Sequence, residues 1–251
     1  MTEFKFPTET VELPSKGLLY PESSPLSSGK IEMKYMTAKE EDILTNSNYI
    51  KQGIVIDKLL QSMIVSKVNY SDLLVCDKDA ILIAARILGY GKDYDIRYPN
   101  PETYEYEKIT IDLTKLKEKS LDESLLYKSK TNEFHFKLPH TNNDLTFRLL
   151  TQNDENIIDQ ELKGLKKIDA NSNPELTTRL KHIILSVNGD YDKKTIREFV
   201  DNGLLARDSR ALREYVSKIT PGIELKYNYT FSNGVEEDIN VPIGVDFFWP
   251  E

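Results

Sequence analysis

The chain has 251 residues, of which 39% are hydrophobic and 29% are charged, with 14 Tyr, 9 Phe and one Trp. This composition is typical of a globular chain that buries a sizeable core, and it excludes the disordered and collagen-like classes. The formal net charge is −8. Because an acidic chain is repelled by a phosphate backbone, we expect no nucleic-acid partner.

Cys76 is the single cysteine, and the histidines are His135, His140 and His182. One cysteine excludes an intramolecular disulfide, and so few soft ligands argue against a structural zinc site. We therefore expect a reducing compartment, no metal and no cofactor. The N-terminal residues lack the pattern of a signal peptide, and no window holds the ~18 apolar residues that a membrane span requires. These observations predict a cytosolic protein without membrane contact.

Four prolines and two glycines fall within residues 7–29. Because prolines block continuous helix and break strand ladders, residues 1–30 are predicted to form an extended arm. The apolar side chains of this arm are too many for a solvated linker, so it should lie against its own fold or a neighbour's. Three of them are tentative partner-binding residues: Leu13, Tyr20 and Leu26.

Apolar periodicity then predicts the elements in chain order. Period-two alternation predicts a strand over 31–35 and further strands at 94–98, 109–113, 134–138 and 145–149. Helical spacing predicts helices at 37–46, 50–65, 79–88, 153–168, 174–187, 192–202 and 208–219. Thr37 and Glu40 fit a capping box, and Asp192 and Asp208 are expected N-caps. Asn233-Gly234, between two alternating runs, predicts a C-terminal hairpin.

The predicted fold class is α+β. A helical body is joined to a small antiparallel β unit and to the extended N-terminal arm. The predicted regions are an arm at 1–30, a helical region at 31–93, a β-rich region at 94–150, a helical region at 151–221 and a C-terminal hairpin at 222–251 that packs on the β-rich region. This last piece carries one Lys against six Asp or Glu residues.

Two segments resemble ligand-binding loops but depart from them. Residues 188–192 place oxygen-bearing side chains as a calcium loop begins, but Lys193 and Phe199 stand where that loop needs Gly and Glu. We interpret them as a turn before a helix. Residues 89–91 follow a helix, whereas nucleotide-binding glycines follow a strand, so they are read as a helix stop. None of the histidines has a neighbour typical of a catalytic site, and we assign no catalytic residue.

Two features could instead bind a partner. Arg207, Arg210 and Arg213 recur every three residues, either as a solvated face with local pairs to Asp208 and Glu214, which we favour, or as a site for an acidic partner surface. The aromatic residues 247–249 either fill the chain's own core or anchor a partner. Because side chains alternate along a strand, we predict that Phe247 and Trp249 are buried and that Phe248 is available to a partner.

Several blocks of residues resemble the baseplate hub assembly family of T-even-type contractile-tailed phages. They are Leu13–Tyr20 (LPSKGLLY), Ser24–Leu26 with Gly29, Met36–Leu44 (MTAKEEDIL), Leu73-Leu74, Asp77–Arg86, Gly89–Gly91, Asn188–Asp190, Asp208–Arg213 and Phe247–Pro250. The resemblance covers nearly the whole chain. It implies a non-enzymatic role in building the central hub, as an assembly factor or a hub-associated subunit, and members have been likened to chaperones of the tape-measure protein.

Some members of this family carry Cys-x-x-Cys pairs where this chain has residues 98–101 and 231–234, neither of which contains cysteine. Loss of the thiolates removes a zinc site but leaves turns that Pro and Asn-Gly can set. The resemblance therefore implies that residues 94–113 and 223–243 pack together as a metal-free, zinc-ribbon-like unit.

The resemblance thus implies an assembly factor that binds hub or tape-measure proteins in the host cytoplasm during virion morphogenesis. The first alternative is a permanent structural subunit of the hub in the virion baseplate. The second is an enzyme, although the sequence shows neither paired carboxylates nor a phosphate loop in a recognisable context. The direct partner, the copy number and the oligomeric state stay open.

Overall fold

The computed structural model describes residues 7–121, 131–171, 173–244 and 246–248. These residues form eight α-helices and four small antiparallel sheets. A single cluster of buried apolar side chains runs from the N-terminal segment through the helices to the C-terminal hairpin. The predicted combination of helices with small antiparallel sheets is confirmed, whereas the division into five regions stays a prediction.

The N-terminal segment differs from the predicted arm because it contains a paired strand. β1 (Thr8–Glu12) pairs antiparallel with β2 (Lys30–Lys34), and a short 3-10 turn at Pro25–Ser28 precedes β2. The prolines at 7 and 14 flank β1 and do not interrupt it, so its backbone is free to pair. At Gly17, where φ is 76°, a Cβ atom would lie 2.3 Å from the Ser27 carbonyl oxygen. The segment therefore folds tightly onto itself and onto the body.

Four helices follow: α1 (Ala38–Leu44), α2 (Ser47–Gln52), α3 (Val55–Met63) and α4 (Val75–Tyr90). The predicted capping box of Thr37 and Glu40 is confirmed. The single helix predicted over 50–65 is wrong, because Gly53 ends α2 in the left-handed conformation with φ 71°. α4 is longer than the predicted 79–88 because its apolar positions begin at its first turn.

Two hairpins form the β unit. One joins β3 (Asp93–Pro99) to β4 (Tyr106–Asp112), and the other joins β8 (Lys226–Thr230) to β9 (Glu236–Asn240). Their tips touch: the Ser232 hydroxyl donates to Glu107 at 2.8 Å, and the rings of Tyr98 and Phe231 lie 6.4 Å apart. These contacts join two distant segments of the chain, and their packing as one zinc-ribbon-like unit stays a hypothesis.

The remaining sheet joins β5 (Phe134–Lys137), β6 (Asp144–Phe147) and β7 (Ile184–Val187). The helix predicted over 174–187 is therefore wrong in its last turn, because the β-branched residues there pair with β6. The helices around this sheet are α5 (Gln152–Ile168), α6 (Glu175–Ile183), α7 (Lys193–Glu198) with a π turn at Phe199–Gly203, and α8 (Ala206–Ile219).

Of the two expected N-caps, one is confirmed. Asp192 caps α7 by accepting the Thr195 N–H at 3.1 Å. Asp208 is not a cap, because α8 begins two residues earlier. Its carboxylate instead accepts the N–H groups of His140 and Thr141 at 2.9 and 3.0 Å. These hydrogen bonds hold the pKa of Asp208 below its ordinary value, although burial opposes them. Asp208 thus ties α8 to the β5–β6 turn.

Candidate partner-binding surfaces

The three arm residues proposed for partner binding are buried in the chain's own core: Leu13, Tyr20 and Leu26. Tyr20 also joins a polar network, because its hydroxyl donates to Asp77 at 2.7 Å and accepts the Leu74 N–H at 2.9 Å. These side chains stabilise the fold where they lie. Their expected role towards a partner stays untested.

Asp77, in the first turn of α4, is a fully buried carboxylate. It accepts the N–H and the hydroxyl of Ser15 at 2.8 and 2.7 Å, in addition to the Tyr20 hydroxyl. Burial raises the pKa of Asp77 above its ordinary value, and the hydrogen bonds from Tyr20 and Ser15 partly offset that effect. The network joins the N-terminal segment to α4 across 62 residues of sequence. No sequence pattern links these residues, so sequence reasoning missed the network.

A second buried carboxylate, Glu40, connects β2, α1 and α3. It accepts hydrogen bonds from the Lys34 ammonium group at 2.7 Å and the Ser62 hydroxyl at 2.6 Å, as well as from Thr37. Burial alone would raise the pKa of Glu40, but these bonds outweigh it and hold the pKa at about 2. Like Asp77, this carboxylate is occupied by contacts within the fold.

The C-terminal aromatic residues differ from the predicted split. Phe247 and Phe248 are both buried. The prediction that Phe248 is available to a partner is therefore wrong for this fold. Residues 246–248 form a 3-10 turn, and the strict alternation of a strand does not apply. The Arg86 Nε donates to the Phe247 carbonyl oxygen at 2.9 Å and fixes this turn against α4. Trp249 lies outside the described residues.

The three arginines of α8, Arg207, Arg210 and Arg213, are exposed, as expected. Arg210 forms the predicted local pair with Glu214 at 2.7 Å. The expected pair with Asp208 is not formed, because that carboxylate accepts hydrogen bonds from residues 140 and 141. Binding of an acidic partner by these three guanidinium groups stays a prediction.

Tyr104, in the loop between β3 and β4, and Tyr106, the first residue of β4, are the most exposed aromatic side chains of the described residues. Tyr104 is 79% exposed and Tyr106 is 71% exposed. The buried Asn100 organises this loop: its side-chain oxygen accepts the Glu102 N–H at 3.0 Å, and its carbonyl oxygen accepts the Tyr104 N–H at 2.9 Å. Tyr104 has a positive φ of 58°, which is uncommon for a residue with a side chain. A fixed hairpin tip therefore presents both rings to solvent. The Tyr-x-Tyr spacing beyond Pro101 was the available sequence signal.

A cavity of about 340 Å³ lies where the start of α4 meets α6 and the end of α8. Its wall is largely apolar, with Leu149, Ile183 and Val216, and it includes Cys76. Burial raises the pKa of the Cys76 thiol well above its ordinary value. Since the thiolate is the reactive form, this cysteine is not activated as a nucleophile.

The described ranges contain no group of three or more His, Cys, Asp or Glu side chains placed to hold a metal ion. Residues 188–192, which resemble the start of a calcium loop, form a turn in which Asp190 accepts the Asp192 N–H at 2.9 Å. Within the described chain, no helix is both long and apolar enough to cross a membrane.

Comparison with known proteins identifies the family of this chain. A family model described as T4 bacteriophage base plate protein matches residues 7–249. A search of curated proteins and a search of solved structures gave no match. The matched range includes the N-terminal segment, every helix and both hairpins. The chain therefore belongs to the T4 bacteriophage base plate protein family.

Proposed function

We propose that this baseplate protein is an assembly factor that binds hub or tape-measure components while the phage tail is built. Family membership supports a role in the baseplate, with other tail proteins as partners. The resemblance of residues 13–44 to hub assembly proteins supports the narrower role. In this proposal the chain works in the host cytoplasm, and it makes and breaks no covalent bond.

The observation that carries the proposal is the pair of exposed rings at the tip of the β3–β4 hairpin, Tyr104 in the loop held by Asn100 and Tyr106 where β4 begins. Tyrosine is enriched among the residues that dominate protein interfaces, because one side chain supplies a large contact area and a hydroxyl group. A loop that is already ordered loses little entropy when it binds. The β3–β4 loop therefore has the properties of a contact point for another protein.

The buried polar groups support a binding role over a catalytic one. Asp77, Glu40, Asp208 and Arg86 all make hydrogen bonds between distant parts of the chain. General acids, bases and nucleophiles need access to a substrate. These four groups are committed to the fold instead.

The first experiment measures where the chain is found. Mass spectrometry should detect it with hub components in assembling tails and, in purified virions, only far below the amounts of the structural baseplate proteins. Stoichiometric recovery from virions would replace this proposal with the alternative of a permanent hub subunit.

The second experiment tests the loop. Replacing Tyr104 and Tyr106 with Ser should abolish copurification with the hub proteins and leave the melting temperature nearly unchanged, because both rings are exposed. Ile168→Ser is the matched control, since this side chain is 85% exposed on α5, away from the loop. Equal copurification by the double variant and the control would exclude the loop as the contact.

A further inference from the structure

A second cavity, of about 290 Å³, lies between the C-terminal end of α6, strand β7 and helix α7. We call it the basic groove. Its lining side chains include four cations, Arg148, Lys181, Lys193 and Arg197, together with His182. Among the described residues, no aspartate or glutamate lines it. This is unusual in a chain whose net charge is −8, and it makes the groove a local exception to the acidic surface.

Carboxylates outside the lining neutralise three of the four cations. Arg148 pairs with Asp154 at 2.6 Å, and Lys181 pairs with Asp201 at 2.7 Å. Glu161 binds the Arg197 guanidinium through both oxygens, at 2.7 and 2.9 Å. Of the four cations, three are thus paired with a carboxylate. These pairs also hold the walls in place, so the groove is ordered before anything binds.

Lys193 is the fourth cation. Within the described part of the chain, this ammonium group has no hydrogen bond or ion pair. Lys193 is also the first residue of α7, where the positive end of the helix dipole disfavours a cation. Lys194, at the second position, is disfavoured for the same reason, but it does not line the groove. A lysine that lowers the stability of its own helix and faces a cavity is expected where the residue serves a function.

The rest of the lining is apolar. Ile184 and Ile196 are buried beneath the groove, Leu185 is half-buried in its wall, and Tyr191 is exposed at its edge. A free inorganic anion would use only the cations. A polypeptide that carries a carboxylate next to an aliphatic side chain would use both kinds of surface.

We propose that the basic groove binds an exposed segment of a partner protein through an Asp or Glu side chain. The carboxylate faces Lys193 and the neighbouring cations, and an adjacent apolar side chain of the partner packs on Leu185 and Tyr191. This inference rests on the proposed function in one respect, namely that the chain's partner is a protein. It is independent of the tyrosine loop, which lies in another part of the fold.

The test uses the purified full chain and a fluorescent, capped peptide of alternating Glu and Leu, with a peptide of alternating Gln and Leu as its neutral counterpart. Fluorescence anisotropy should show saturable binding of the acidic peptide, weakened by added salt, and no binding of the neutral one. Lys193→Gln should weaken binding by roughly tenfold, as expected for loss of one charge-assisted contact. Its melting temperature should be unchanged or slightly higher, because the cation at the helix start is gone.

Lys194→Gln is the matched control, since it removes the same charge from the next residue of the same helix. It should bind the acidic peptide as the wild type does. Equal weakening by both variants would show a general charge effect and overturn the proposal. It would also be overturned if the acidic peptide failed to bind, or if inorganic phosphate alone bound at the groove. None of these results bears on where the chain acts in tail assembly, which the virion measurement decides separately.

Discussion

Removal of the Tyr20 hydroxyl is expected to destabilise the fold far more than loss of one oxygen atom suggests. In Tyr20→Phe the ring and its packing stay, but two buried hydrogen bonds are lost, one to Asp77 and one from the Leu74 N–H. Leaving a buried donor or acceptor unsatisfied costs roughly 1–3 kcal/mol each. Asp77 keeps both bonds from Ser15, which limits the loss at the carboxylate. We expect the free energy of unfolding to fall by about 2–5 kcal/mol.

Urea unfolding at neutral pH, followed by circular dichroism, measures this change. Tyr35→Phe is the matched control: its hydroxyl donates to Glu9 at 3.1 Å near the surface, where water can replace the bond. The control should lose less than about 0.5 kcal/mol. If Tyr20→Phe lost no more than the control, the network would not hold the N-terminal segment, and the reasoning would be refuted.

Two further predictions concern the other buried links. The pKa of Glu40 in the folded chain, about 2, lies below the ordinary value of 4.5, so its stabilising effect is present above about pH 4.5 and is lost as the pH falls towards 2. Glu40→Gln should therefore lower the free energy of unfolding at neutral pH and make it vary less with pH in that interval. If the free energies from urea unfolding varied with pH as steeply in the variant as in the wild type, the assignment would be contradicted. Phe248→Ala should cost about 3–5 kcal/mol, because a fully buried ring is removed. An unchanged melting temperature with lost binding to hub proteins would instead restore the partner-facing interpretation of Phe248.

The sequence located most elements because their apolar residues repeat with a clear period. The exceptions have local causes. Gly53 lies within an apparently continuous helical pattern, yet it ends α2 through a left-handed backbone that periodicity does not reveal. Residues 184–187 are a short apolar run, which fits a buried helix turn and a strand equally well. The 3-10 turn at 246–248 removed the alternation on which the prediction for Phe248 depended.

The functional surfaces were harder to predict because they combine residues that are distant in the chain. The basic groove brings Arg148 of the segment after β6 together with Lys193 of α7. Exposure of Tyr104 depends on hydrogen bonds made by Asn100. Contact between the two hairpins could be anticipated because family resemblance related the segments to each other. The residues themselves carried no such signal.

Helix α4 holds both ends of the described chain. Asp77, near its start, binds Ser15, and Arg86, one turn from its end, binds the carbonyl oxygen of Phe247 across 161 residues of sequence. The first contact can form as soon as α4 has left the ribosome, whereas the second also requires residue 247 to be synthesised. A truncated product would lack both C-terminal phenylalanines from its core and would be open to proteases. Stability of the fold therefore depends on the two flanks of α4 being present together in one chain.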